Sequence, residues 1–207
     1  VKGAIAMVEA GAKTIIMDDG LQNPSLLKDL SLCVIDGTYG IGNGRVMPAG
    51  PLREEFEYSL QKSNAVVILG LDQAGIAEQI KRITPDMIII KAQIKAEPTD
   101  LDFTSQPVHA FAGIAQPEKF FITLNELGCT LAKTTEFTDH HAYTDAEVSE
   151  LIEAAQADKA LLLTTEKDYV RLDTKWQSAV KPLGIRLEWE DEAPLTALLE
   201  PIIRFAS

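Results

Sequence analysis

The chain has 207 residues, of which 46% are hydrophobic and 24% charged, with a formal net charge of −12. That length allows one large domain or two small ones, and the apolar fraction can build a core without disulfide or metal staples. The acidity argues against nucleic acid or anionic lipid as a partner of this segment, because both need clustered Lys and Arg.

Cys33 and Cys129 lie far apart and outside any C-x-x-C pattern, and read as reduced thiols of a cytosolic protein. No apolar run approaches the roughly 20 residues of a membrane span. The chain opens at Val1, inside what already reads as a helix, so a preceding part is expected. That helix runs from Lys2 to Ala10, with Gly11 as its C-terminal cap.

Thr14, Ile15, Ile16 and Met17 read as a buried strand that Asp18, Asp19 and Gly20 break. Acids at a strand's carboxyl end sit where open α/β sheets bind ligands. Two adjacent carboxylates suit Mg²⁺, a hard cation that shares its oxygen ligands with substrate phosphates. The plain alternative is an Asp-Gly turn. Ser31 to Asp36 is a second apolar run ending in an acid, as in a buried parallel strand.

Gly37 to Glu55 holds five glycines and two prolines. Loops of this length inside a domain are functional or disordered. Gly40, Gly42 and Gly44 lack dinucleotide-fingerprint spacing, and Pro48 and Pro51 stand where its helix would run. Pro51 predicts the first turn of a helix, with Glu54 and Glu55 near its positive end. Arg53 is electrostatically misplaced in such a turn.

Ala65 to Gly70 predicts a strand, Ile76 to Ile83 a helix and Met87 to Glu97 an extended strand. Gly70 and Gly75 have phosphate-loop spacing, but Ile76 and Ala77 follow instead of Lys and Ser/Thr. The polar stretch Pro98 to Gln106 reads as a boundary, giving domains 1–98 and 99–207. Beyond it, strands are expected at 108–114, 130–137, 160–165 and 185–190. Helices are expected at 117–127, from the Thr144–Glu147 capping box to about Ala157, from Thr165, and at 194–205. This alternation implies parallel sheets covered by helices.

Asp139, His140 and His141 precede the capping box. A carboxylate beside an imidazole fixes its tautomer and suits proton transfer. The alternative is a pair of surface histidines. Thr164 to Asp168 stand where a strand meets a helix, which suits either an anion site or an ordinary cap.

The strings DDGLQN, GNGRVMPAGPLRE, FAGIAQPEKFF, FTDHHAYT and TTEKD follow one another in that order. Together they resemble the tetraacyldisaccharide 4′-kinase family, the lipid A 4′-kinases of Gram-negative bacteria, over nearly the whole chain. The resemblance implies an α/β fold of two α/β/α sandwich domains with mainly parallel sheets, P-loop kinase-like, the first one truncated. It implies a two-stranded linker between the domains and an active site in the cleft they form.

The implied activity is ATP-dependent phosphorylation of the 4′-hydroxyl of a tetraacyldisaccharide 1-phosphate, with ATP and Mg²⁺ as cofactors and the lipid A disaccharide precursor as partner. By resemblance, Asp18 and Asp19 serve the metal, and Arg53, Glu54 and Gln22 the ATP site. His140 with Asp139 assists deprotonation of the acceptor, pairing with an aspartate of the first domain. Asn23 stands where the family usually has His.

The family's membrane-seeking helix, GGTGKT-type loop and Gly-Asp-Glu-Pro segment do not occur in these 207 residues, so this chain alone is expected to be inactive. It is also expected to be less stable in its first half than from about Val108 onward. The implied location is the cytoplasmic side of the inner membrane, peripheral, reached through the preceding part. Two other readings remain: a non-catalytic α/β binding module, and another Mg²⁺-dependent sugar kinase or transferase.

Overall fold

The computed structural model describes residues 1–99 and 105–206, the last two by backbone alone. The polar boundary read from Pro98 to Gln106 therefore lies partly outside the described residues. In chain order the first elements are α1 (Lys2–Glu9), β1 (Leu32–Asp36), α2 (Phe56–Gln61), β2 (Ala65–Leu69), α3 (Ile76–Ile83) and β3 (Ile88–Ala96). Then come β4 (Val108–Ala112), α4 (Pro117–Glu126), β5 (Leu131–Glu136), α5 (Asp145–Ala157), β6 (Leu161–Thr165) and α6 (Glu166–Tyr169). The last are α7 (Thr174–Gln177), β7 (Lys181–Leu183), β8 (Ile185–Trp189) and α8 (Ala193–Ala206).

Two compact units result, one of Val1–Ile94 with Leu187–Ser207 and one of Lys95–Arg186. The first holds a sheet of order β1-β2-β3-β8, in which β1, β2 and β3 are parallel. Strand β2 is apolar on both sides because both are covered. Val66 and Ile68 pack with Leu60 of α2 and with Ile76 and Ile80 of α3. Ala65 and Val67 pack with Ile90 of β3 and with Leu195 and Leu198 of α8. Each such large side chain contributes about 1.5–3 kcal/mol by leaving water.

The second unit holds a parallel sheet of order β5-β4-β6-β7. Val108, Ala110 and Ala112 of β4 pack with Phe120, Phe121 and Leu124 of α4. Phe111 takes the opposite face, with Val148, Leu151 and Ala155 of α5. His109 is only 2% exposed, and its Nε2 lies 2.9 Å from Asp158 Oδ2, which gives the buried ring a polar partner. Both units are thus α/β with helices on each face of mainly parallel sheets, as the alternating pattern implied; β8 runs antiparallel to β3, with Glu97 N donating to Gly184 O and Glu190 N to Lys91 O.

Several local expectations are met. Gly11 follows α1 with φ 89°, and Gly11 N and Ala12 N donate to Val8 O and Met7 O, the hydrogen bonds of a left-handed helix end. Thr144 and Glu147 form the capping box of α5, each side chain accepting from the other's backbone N–H.

Three expectations are corrected. Residues Thr14–Met17 form no strand and pair with none among the described residues, and Ile16 is 90% exposed. An apolar run becomes a strand only where a neighbour supplies the ladder, and none does so here. Pro51 does not open a helix: α2 begins at Phe56 with Glu55 at its N-cap. Arg53 is therefore not in a helical first turn. Residues 187–207, expected in the second domain, join the first unit, because β8 pairs beside β3 and α8 covers that sheet.

The glycine-rich 37–55 segment is ordered turns. Asn43 Nδ2 donates to Ala49 O at 2.8 Å, its Oδ1 accepts from Arg45 N, and Met47 N donates to Leu52 O. These bonds hold the loop that delivers Arg53 and Glu54.

Candidate functional site

In the first unit, two strings distant in sequence meet. Asp18 and Asp19 lie exposed in a turn, where Asp19 adopts φ 52°. Arg53 Nη1 donates to both Asp19 carboxylate oxygens at 2.7 Å. Gln22, on the same acidic loop, donates to Glu54 Oε1 at 3.2 Å.

Glu54 is the anchored member of this group, with its side chain 17% exposed. Lys62 Nζ donates to it at 2.6 Å and Ser59 Oγ at 2.7 Å. Partial burial alone would push its carboxyl up, but the hydrogen bonds from Lys62, Ser59 and Gln22 outweigh this and hold it below its ordinary range. Burial, and then the Glu54 charge, push the Cys33 thiol of β1 up, so it stays protonated.

Asp18 and Asp19 offer hard oxygen donors on successive residues. No cluster of three or more His, Cys, Asp or Glu that could cage a metal occurs among the described residues. Two carboxylates fit Mg²⁺ in the mode in which water and substrate phosphates complete its shell.

In the second unit, Asp139 and His140 sit in the turn between β5 and α5. His140 is held at φ 59°, uncommon for a non-glycine residue. Its backbone N–H donates to Gly113 O at 3.1 Å, and its ring Nδ1 lies 3.0 Å from Arg171 Nη2. Its Nε2 is 3.9 Å from Asp139 Oδ2. His141 turns the other way, to Glu147 at 3.1 Å, with its ring 4.7 Å from that of Phe137.

Beneath this turn Asp168 is fully buried. Its Oδ2 accepts from Gly113 N at 3.0 Å and from Thr165 Oγ1 at 2.7 Å, and its Oδ1 from Arg171 Nη1 at 3.1 Å. The Thr164–Asp168 stretch is thus a capped helix start: Asp168 N donates to Thr165 Oγ1, and Lys167 points to solvent. The Tyr143 hydroxyl is buried without a hydrogen-bond partner among the described residues. Burial, and then the Asp168 charge, raise its pKa, so the phenol stays neutral.

The structure therefore brings Asp19 to Arg53, Gln22 to Glu54, and Asp139 to His140. Sequence reasoning missed Lys62, Ser59 and Arg171. The i, i+3 spacing of Asp168 and Arg171 at a helix start was the available signal for the last.

A model of the family described as tetraacyldisaccharide-1-P 4′-kinase matches residues 1–204. The tetraacyldisaccharide 4′-kinase of Paramagnetospirillum magneticum is 44% identical over 200 residues, which cover 97% of this chain and 61% of that protein. Those of Rhodospirillum centenum and Rhodospirillum rubrum are 42% and 39% identical, again over 97% of this chain and over 59% and 61% of theirs. The chain thus spans about 60% of the length of these relatives. With one family model covering nearly every residue and relatives of this identity, the chain belongs to the tetraacyldisaccharide-1-P 4′-kinase family.

Proposed function

We propose that this chain supplies part of an ATP-dependent kinase that phosphorylates the 4′-hydroxyl of a tetraacyldisaccharide 1-phosphate, the lipid A precursor. The observation that carries this reading is the meeting of the Asp18–Asp19 loop with Arg53 and Glu54. The relatives, known as tetraacyldisaccharide 4′-kinases, support it.

Phosphoryl transfer needs positioning and neutralisation of phosphate charge more than covalent help from the protein. Asp18 and Asp19 would hold Mg²⁺, which when bound neutralises and orients phosphate oxygens. The Arg53 guanidinium is 57% exposed, so it can swing from Asp19 to phosphate, where its planar fork suits two oxygens. Glu54, tied by three donors, fixes the loop that carries Arg53, and Gln22 ties the acidic loop to it. His140, with Asp139 beside it, assists removal of the 4′-hydroxyl proton.

The acyl chains of such a substrate lie in a bilayer, so the site works at a membrane surface, on the side that holds ATP. In a Gram-negative cell that is the cytoplasmic face of the inner membrane. No described helix is long and apolar enough to cross a membrane.

The test is a chimera in which residues 1–204 replace the matching segment of the Paramagnetospirillum magneticum relative. Transfer of phosphate from ATP to the tetraacyldisaccharide 1-phosphate is expected. A folded chimera that binds ATP yet phosphorylates no lipid would overturn the reading.

A further inference from the structure

His140 lies at the end of a chain of contacts that starts in the core of the second unit. The carboxylate of Asp168 is fully buried. It is oriented by Gly113 N and Thr165 Oγ1 on one oxygen and holds Arg171 Nη1 on the other. The same Arg171 nitrogen donates to Gly113 O at 3.1 Å. With Nη1 fixed twice, the planar guanidinium has little freedom left, and its Nη2 is aimed at His140 Nδ1, 3.0 Å away. Gly113 O also accepts the His140 backbone N–H, so one carbonyl ties both the arginine and the histidine main chain.

Arginine is never an acceptor and does not lose its proton in proteins. The Nδ1 facing it must therefore be the acceptor, and a neutral His140 ring carries its proton on Nε2. The charged groups in contact with the ring among the described residues are Arg171 on the Nδ1 side and Asp139 on the Nε2 side. His140 is also in left-handed backbone geometry at φ 59°, which costs energy for a β-substituted residue and persists only where the surroundings hold it. An exposed histidine with no role would need neither that backbone nor a buried carboxylate behind its arginine.

We propose that Asp168 and Arg171 are positioning residues that hold the His140 ring in its Nε2–H tautomer, so that the histidine presents a hydrogen-bond donor, not a proton acceptor, to whatever oxygen it meets. Its importance for catalysis rests on the kinase reading, in which that oxygen belongs to a carboxylate or to the substrate. The tautomer itself does not depend on that reading. In this arrangement His140 orients a base or a phosphate oxygen, and the proton of the acceptor hydroxyl goes to another group.

The experiment is ring ¹⁵N spectroscopy of this chain at a pH where the histidines are neutral, with His109 as an internal control. His109 is in the same unit and rests on Asp158. The wild-type His140 is expected to show a protonated-type Nε2 and a bare-type Nδ1. Arg171→Lys keeps a cation for Asp168 but has no second nitrogen for Nδ1. The tautomer ratio should then relax by about tenfold, the scale of one hydrogen bond from a charged donor, while His109 does not move.

Arg171→Leu should relax it as far. If that variant loses the His109 signature, the Lys variant decides. A wild-type Nδ1–H tautomer, or an unchanged His140 in folded Arg171→Lys, overturns the proposal. Full activity of a chimeric kinase carrying His140→Ala would instead defeat the kinase role of His140 and leave the tautomer result standing.

Discussion

Arg53 Nη1 lies 2.7 Å from both carboxylate oxygens of Asp19, 34 residues away, and both side chains are more than half exposed. In that setting water screens the pair, and such contacts are worth about 0–1 kcal/mol. Arg53→Ala should therefore change the urea midpoint of this chain by less than about 1 kcal/mol of stability. In the chimeric kinase the same change should lower phosphorylation by about 100-fold or more, the scale of losing one preorganised charge donor. A large loss of stability in the isolated chain would show that the pair is structural.

Gly113 fits its place because of space, not backbone conformation. A Cβ there would stand 2.8 Å from the Tyr143 hydroxyl, 3.2 Å from Asp168 Oδ1 and 3.3 Å from His141 Cβ. Gly113→Ala should destabilise the second unit by about 1–3 kcal/mol through overpacking. It should also loosen the contact of Arg171 with His140. Equilibrium unfolding and the His140 ring resonances measure the two effects, and an unstrained Gly113→Ala variant would refute both.

Glu147 makes the start of α5 sensitive to acid. The Thr144 backbone N–H, then the Thr144 hydroxyl and His141, hold its carboxyl down to about 2, below an ordinary value of 4.5. A depressed folded-state pKa stabilises above the unfolded value and loses that contribution as pH falls through the folded one. The cap should therefore be complete above about pH 4.5 and weaken progressively toward pH 2. Amide exchange in the first turn of α5 should follow that window, and Glu147→Gln should remove the dependence. A cap that loosens as pH rises would contradict the assignment.

Protection should differ sharply along the chain. Helix α1 buries none of its residues, and Ile16 is nearly bare, whereas β2 and β4 are buried almost throughout. Hydrogen exchange should therefore be fastest in residues 2–30 and slowest in β2 and β4. Strong protection of α1 would mean that it packs in solution against something absent from this chain.

What the sequence could reveal follows from where each signal resides. The capping box, the left-handed helix end at Gly11 and the strands of both sheets other than β7 are local patterns, and they were readable. Thr14–Met17 misled because apolar composition reports propensity, while a strand also needs a ladder partner. Strand β7 has three residues, one of them Pro182, too few for any period to register. The return of β8 and α8 to the first sheet is a fact of topology that no local pattern encodes. The candidate site was legible as strings, but the network behind it was not: Lys62 on Glu54 and Arg171 on His140 are contacts made only in the fold.

The most direct measurement of the central claim is lipid phosphorylation by the chimeric kinase carrying Asp18→Asn with Asp19→Asn, or His140→Ala, each checked for folding and ATP binding. The account predicts that each folded variant loses about 100-fold or more of the wild-type chimera's activity. Activity at the wild-type level in either variant would contradict the claim that the acidic loop and the histidine serve one phosphoryl transfer.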